Sequence, residues 1–380
     1  FKRMVETLHR EGLRVIIDGV FNHCGWRFWA FEDVVRNQEK SKYCSWFYGL
    51  EFPVERPAGP EAYPTYATYA YERMMPKLNT ADPGLREYLC NVGRYWIEAF
   101  GVDGWRLDVA SEVDDGFWRA FRAACKAAKP DALLIGEVWE TAPHWLAGDM
   151  FDSTMNYDFR RHCLRFFARG ELDASGFAAR CGDMLMRYKK QMSGVQLNLL
   201  DSHDVPRFLT LCGCDRERHR LAVALQMTFP GCPAVYYGDE IGMEGENDPD
   251  CRRAMDWDRA GRRAEPYGWY RRLIALRKGS KALTGGDFHI ALADNEANAC
   301  GYCRTCGGES VLTVINAGGR PLSAAAAVPE AGGEWREAFS GEALVSRPAP
   351  YAARDAYNAG YTGTLSVTVP ARSVKIFIKK

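Results

Sequence analysis

The sequence predicts a parallel α/β protein followed by a smaller antiparallel β domain. Three observations lead there. Short apolar, β-branched runs alternate with helical stretches from residue 13 to about 281. No G-x-G-x-x-G fingerprint opens a helix after an early strand. From about residue 282 the helical pattern gives way to short β-prone runs broken by Gly and Pro. Strand–helix alternation implies parallel strands with right-handed crossovers. Six such strands suit a doubly wound sheet or most of an eight-stranded barrel. The absent glycine fingerprint weighs against a dinucleotide fold.

The elements follow in order. "FKRMVETLHREG" reads as an amphipathic helix with Phe1, Val5 and Leu8 on one face and Gly12 as its stop. "LRVIIDGVFNH" (13–23) is the first strand. Residues 24–80 form a long aromatic insertion behind it, and structured insertions of that length usually carry function. The later strands are "GVDGWRLDVA" (101–110), "ALLIGEVWE" (132–140), "FDSTMNY" (151–157), "VQLNLLDSHD" (195–204) and "PAVYYGDEIG" (233–242). Helical stretches precede most of them. The expected division is residues 1–281 for the α/β part, with 24–80 inserted, and 282–380 for the β domain. "RPLSAAAAVPEAGG" (320–333) reads as a surface loop.

Composition excludes several roles. The formal net charge is zero, so no basic surface for nucleic acid is expected. No uncharged apolar run reaches membrane-spanning length. The thirteen cysteines are scattered, which reads as free thiols in a reducing, cytoplasmic setting. "CGYCRTC" (Cys300, Cys303, Cys306) has the look of a zinc cluster, but no fourth ligand follows closely, so thiols in a β segment are expected.

Polar residues gather where the strands end. Asn22 and His23 close the first strand, Arg106 and Asp108 the second, Glu137 the third, and His203 and Asp204 the fifth. In a parallel barrel these ends share one face, where active sites are built. Side chains two apart on a strand point the same way, so Arg106 should brace Asp108 in its charged form. Glu137 sits after an apolar run beside Trp139, a setting that keeps a carboxyl protonated. An ionised and a protonated carboxyl together are the equipment of glycoside cleavage. An Arg/Asp pair on one strand is commonly a structural ion pair; polar clusters at four strand ends argue for more than that. Metal binding by His23, His203 and Asp204 is the alternative use of those groups. Trp139, Met155 and Tyr157 are candidates for shaping sugar subsites, and core packing accounts for them equally.

Four segments carry a resemblance: "DGVFNH" (18–23), "GWRLDVA" (104–110), "GEVWE" (136–140) and "LLDSHD" (199–204). In order, they resemble the signature regions of the alpha-amylase family, glycoside hydrolase family 13. "MPKLN" (75–79) is similar to a further signature of its neopullulanase, cyclomaltodextrinase and maltogenic amylase subgroup. The resemblance implies a (β/α)8 TIM-type barrel, an inserted subdomain after its third strand, and a C-terminal antiparallel β-sandwich. The strands present would be the third to eighth, with the first two and the subgroup's N-terminal domain absent. It implies Asp108 as nucleophile, Glu137 as general acid/base and Asp204 as the third carboxylate. His23, Arg106 and His203 match substrate-holding positions, and Trp139 and Tyr157 are expected to contact substrate. The implied substrate is an α-glucan: cyclodextrins, maltooligosaccharides or pullulan, cleaved at α-1,4 bonds with retention and with transglycosylation as a companion reaction. A catalytically silent sugar-binding barrel or an inactive fragment is the alternative, and a sucrose- or trehalose-directed relative a third reading. No cofactor is required by the resemblance; calcium is an option, with Asn22 at the matching ligand position. No nucleic-acid or membrane partner is implied, and a homodimer only if the N-terminal domain is present.

Overall fold

The computed structural model describes residues 1–59, 61–261, 265–349 and 360–379. The chain divides into two compact units, Phe1–Met155 and Asn156–Lys380.

The first unit is built on a four-stranded parallel sheet in the order Ile16–Val20, Gly104–Asp108, Leu133–Gly136, Ser153–Thr154. All four expected strands are there, shorter than the apolar runs that announce them. The crossover helices begin where a carboxylate satisfies free backbone donors. Asp82 accepts from Leu85 N at 2.9 Å, with Pro83 in the first turn of the helix Pro83–Phe100. Asp114 accepts from Phe117 N at 2.8 Å and starts the helix Asp115–Ala128. Gly101, at φ +72°, ends the first of these and turns the chain into the next strand. Gly104 then passes so close to its neighbour that a Cβ there would lie 2.1 Å from the Leu133 carbonyl. Phe21, Trp105, Phe117, Trp118 and Phe121 fill the space between sheet and helices. Their rings meet at spacings such as 4.8 Å for Phe21–Phe121 and 5.7 Å for Phe21–Trp105.

The lower end of this sheet is tied by one buried acid. Asp103 accepts from Val15 N at 2.8 Å and from His9 Nε2 at 2.8 Å. It thereby joins the first strand to the helix Lys2–Arg10, whose Val5 is buried as its apolar face requires. Residues 24–80 contain the helix Trp29–Asn37 and an antiparallel pair, Thr68–Tyr69 with Glu72–Pro76. Trp26, Phe31, Phe47 and Tyr66 form its own aromatic core, with Phe31 within 5.0 Å of the other three rings.

The second unit holds the last two parallel strands, Leu197–Leu199 and Cys232–Ala234, paired in register from Leu197 opposite Cys232. Helices Ala174–Met186 and Arg216–Thr228 pack beside them on a core of Phe159, Phe166, Phe177, Leu221 and Leu225. Beyond Gly286 the chain forms two antiparallel sheets. One has six strands, from Asp287–Asp294 at one edge to Ala343–Val345 at the other; the second has three, centred on Gly363–Val369. Leu312, Val314 and Phe377 meet Leu322, Leu365 and Val367 in the core between them, the arrangement of a β-sandwich.

One expectation is corrected here. The alanine run in 320–333 is not a surface loop: Leu322–Val328 is a strand, antiparallel to Gly363–Val369 over seven residue pairs. Leu322, Ala326 and Val328 are fully buried at even spacing. Packing on the sandwich core outweighs the low β-propensity of alanine. The cysteine run behaves as expected of thiols. It lies in the strand Ala299–Cys306, with Cys300 in the core shared with the helices and Cys303 in the sandwich core. An odd spacing on a strand sends side chains to opposite faces, so those two cannot share one metal.

Candidate active site

In the first unit the site grows from the end of the strand Gly104–Asp108. Parallel pairing sets Asp18 opposite Arg106 and Val20 opposite Asp108. Arg106 therefore has acids on three sides. Its Nη1 lies 2.7 Å from Asp108 Oδ1 and 2.9 Å from Asp18 Oδ1. Its Nη2 approaches Glu137 Oε2 at 2.9 Å, an ion-pair contact without hydrogen-bond alignment. Burial by itself lowers a guanidinium's pKa, but Glu137, Asp18 and Asp108 more than reverse this and raise it. Two charges can stand in this apolar strand because of the shared cation: neither charge is buried alone.

Glu137 sits one residue past the strand Leu133–Gly136 and is 3% exposed. Three backbone bonds seat it. Its N–H donates to the Leu107 carbonyl at 2.8 Å, its carbonyl accepts from Ala110 N at 3.1 Å, and its Oε2 accepts from Val109 N at 2.9 Å. Oε1 accepts from Trp139 Nε1 at 3.1 Å. Burial, the largest influence, pushes the carboxyl above the usual range, and the charge of Asp108 adds to the rise. Arg106, Val109 N–H and Trp139 N–H pull the other way without cancelling it. Trp139 itself is 45% exposed, so its ring is open to a ligand while its N–H holds the acid.

His23 and Asn22 follow the strand Ile16–Val20. His23 stacks on Tyr69 with ring centroids 4.5 Å apart and planes 2° from parallel. Burial lowers its pKa, and Lys77 adds to this against the pull of Asp108, so the ring is neutral near neutrality. Asn22 is buried, and its side-chain oxygen accepts from Lys77 Nζ. The same ammonium lies 3.1 Å from the Glu112 carbonyl and 3.3 Å from Glu112 Oε2. These oxygens already enclose a cation. The residues at Asn22 therefore do not fit calcium, whose six to eight oxygen ligands would have to displace the lysine.

In the second unit His203 and Asp204 lie in the loop after Leu197–Leu199. His203 Nε2 stands 3.1 Å from Asp204 Oδ2. Arg252 holds both residues: its Nε donates to the His203 carbonyl at 2.9 Å and its Nη2 to Asp204 Oδ1 at 3.2 Å, while Asp248 pairs with it at 2.8 Å. Ser202 Oγ accepts from Asp204 N and stands 3.3 Å from the Tyr157 hydroxyl. Tyr157 is 4% exposed, so it supports this loop from a buried position and presents no open ring to a sugar. Met155 closes the first unit, its N–H donating to the Gly136 carbonyl at 3.1 Å.

Sequence reasoning named Asp108, Glu137 and Arg106, and the structure brings these three together. It missed Asp18, Lys77, Glu112 and Arg252. Asp18 had a signal, an acid inside the apolar run "LRVIIDGV". Lys77 stood in the quoted "MPKLN" segment without a role assigned to it, and Glu112 and Arg252 become visible only through long-range contacts.

The alpha-amylase catalytic-domain family ("Alpha amylase, catalytic domain") matches residues 1–272. This chain belongs to the alpha-amylase family. A cyclomaltodextrinase of Geobacillus thermopakistaniensis is 47% identical over 337 residues, covering 88% of this chain and 56% of that protein. Neopullulanase 2 of Thermoactinomyces vulgaris is 46% identical over 344 residues, covering 90% of this chain and 58% of its own. A solved cyclomaltodextrinase structure covers 100% of this chain and 62% of its own, with 37% identity and a TM-score of 0.90. The chain thus spans a little over half the length of these sequence relatives. The fold is this family's, parallel α/β strands followed by a C-terminal antiparallel β domain.

Proposed function

We propose that this chain carries the catalytic centre of a retaining glycoside hydrolase acting on α-1,4 bonds of cyclodextrins, maltooligosaccharides or pullulan. One observation carries the reading: Asp108 and Glu137 contact the two terminal nitrogens of a single guanidinium, at 2.7 and 2.9 Å. That sharing keeps the carboxyl groups within the roughly 9.5 Å upper limit of paired glycosidase acids. Asp108, the more open of the two and bound to Arg106, attacks the anomeric carbon. Glu137, whose carboxyl burial shifts toward the protonated form, gives its proton to the leaving oxygen and then takes one from the attacking water. The exposed Trp139 ring offers a sugar a stacking face beside the proton donor. His23, in the same unit, binds the sugar, and His203 and Asp204 match the family's substrate-holding and third-carboxylate positions. Transglycosylation follows when a sugar hydroxyl replaces that water.

The protein needs no metal for these steps, and the Lys77 ammonium at Asn22 supports a calcium-free site. Among the described residues no helix is long and apolar enough to cross a membrane. All thirteen cysteines are free. Free thiols in this number favour a reducing, cytoplasmic compartment.

The test is Asp108→Asn assayed for reducing sugar released from maltotriose and from a cyclodextrin. Turnover should fall to background while melting temperature stays near wild type. Near-normal turnover would remove Asp108 from the reaction and end the proposal.

A further inference from the structure

Beneath the loop that carries His203 and Asp204 lies a buried polar cluster with no place in the steps above. Arg207 is 1% exposed, and Asp201 and Asp239 are each 4% exposed. Arg207 Nη1 donates to Asp239 Oδ1 at 2.9 Å and to the Tyr237 carbonyl at 2.6 Å, and its Nε to the Cys251 carbonyl at 3.2 Å. The guanidinium lies over the Tyr236 and Tyr237 rings at 4.3 and 4.9 Å. Asp239 in turn shares a hydrogen bond with Asp201, whose Oδ1 accepts from Phe208 N at 2.5 Å. Asp201 and Arg207 bracket the loop, Asp201 preceding it and Arg207 and Phe208 following it, and Asp239 joins the two. Arg160 ties the same two ends, donating to the Leu200 carbonyl at 2.9 Å and to the Pro206 carbonyl at 3.2 Å.

We infer that Asp239 and Asp201 form a carboxyl–carboxylate clamp that positions the His203–Asp204 loop, making Asp239 a positioning residue for the glycosidase reaction. The inference rests on the reading of Asp204 as a residue of that reaction. Two carboxylates cannot both ionise at hydrogen-bond distance in an apolar enclosure. Asp239 therefore holds the proton and donates it to Asp201. Burial raises Asp239 well above the usual carboxylate range, with Asp201 adding to the rise, and burial holds Asp201 itself at about 6. The charged groups facing the pair are Arg207 and, from the helix Tyr157–Cys163, Arg160. Tyr270, from the helix Glu265–Lys278, and Cys212 face it too, both pushed up by burial and so neutral. Glu240 stands next along the chain. His219, 6.2 Å from the Tyr270 ring, is lowered by burial to about 4 and stays neutral.

The chemistry gives a specific variant. In Asp239→Asn the amide oxygen still accepts from Arg207, and the amide N–H still donates to Asp201, but there is no proton to lose. In Asp239→Leu both bonds vanish. As pH climbs through the raised pKa of Asp239, the wild-type clamp loses its shared proton and the loop loosens. The ratio of kcat in Asp239→Asn to kcat in wild type should therefore rise with pH. Asp239→Leu should lose turnover by roughly 10²-fold, the scale of a small misplacement of a reacting group, with KM changed far less. The proton also leaves a mark on stability that does not depend on catalysis. A raised folded-state pKa means wild type loses stability as pH climbs through it, so the melting temperature of Asp239→Asn should gain on wild type across that range.

A kcat ratio that stays flat with pH overturns the inference, as does a folded Asp239→Leu with wild-type kcat. If Asp239→Leu fails to fold, the pH dependence of the Asp239→Asn ratio decides alone. Asp108→Asn in the same assays separates the two readings. Turnover by Asp108→Asn would remove the glycosidase reading, whereas a flat stability difference between wild type and Asp239→Asn would remove the clamp with that reading intact.

Discussion

Val109 follows Asp108 directly and holds φ 44° and ψ 44°, a left-handed conformation that β-branched side chains avoid. Such a residue costs on the order of 1–3 kcal/mol and persists only where its surroundings over-determine it. Here the turn aims Val109 N–H at Glu137 Oε2 and Ala110 N–H at the Glu137 carbonyl. Strain beside Asp108 is thus coupled to the seating of Glu137. The N–H donors of Val109 and Trp139 both favour the charged carboxylate. Replacing Trp139 by Phe keeps a ring and removes one donor, so the pKa of Glu137 should rise. The alkaline limb of the kcat/KM profile should then move to higher pH; an unmoved limb, or one at lower pH, would deny Glu137 its place as the acid. Asp108, Arg106 and Glu137 were legible in the sequence because charges inside apolar runs need a reason. Val109 was not, since nothing in a valine announces a positive φ.

At the scale of elements, the sequence shows where strands begin better than what they touch. Apolar runs marked all six parallel strands, and Asp82, Asp114 and Gly101 mark helix ends by their backbone chemistry. The strand Leu322–Val328 was hidden because alanine signals neither strand nor core until a facing sheet buries it. Gly104 shows a related limit. The sequence places it in a strand, but nothing there shows that its lack of a side chain is what lets that strand close on Leu133. Lys77 stands in "MPKLN", but its role was not legible, because its three oxygen partners come from Asn22 and Glu112, in segments that follow different strands. It links the insertion to the sheet through an ammonium at the position expected for a calcium ligand. Adding a chelator should therefore leave the melting temperature unchanged. Lys77→Met should destabilise by about 1–3 kcal/mol, the cost of leaving the buried Asn22 acceptor unpaired. A clear loss of melting temperature on chelation alone would contradict the assignment.

For the molecule as a whole, family membership and architecture follow from a match across residues 1–272 and from a solved relative that covers the entire chain. The broad class was legible, since strand–helix alternation and the change of texture near residue 282 are patterns of spacing. The chemistry was legible as far as residue types at strand ends can carry it. The division at Met155 was not, because a unit boundary depends on how contacts distribute in space. The reaction turns on Asp108 acting as a nucleophile beside Glu137, whose carboxyl burial shifts toward the protonated form. Its most direct test is to trap the covalent intermediate with a fluorinated glucosyl fluoride that reacts quickly and is released slowly, and then to locate the label by peptide mass spectrometry. The account predicts a single glycosyl adduct on the peptide containing Asp108, absent from Asp108→Asn. An active protein that carries its label on another residue, or none under conditions where turnover halts, would contradict it.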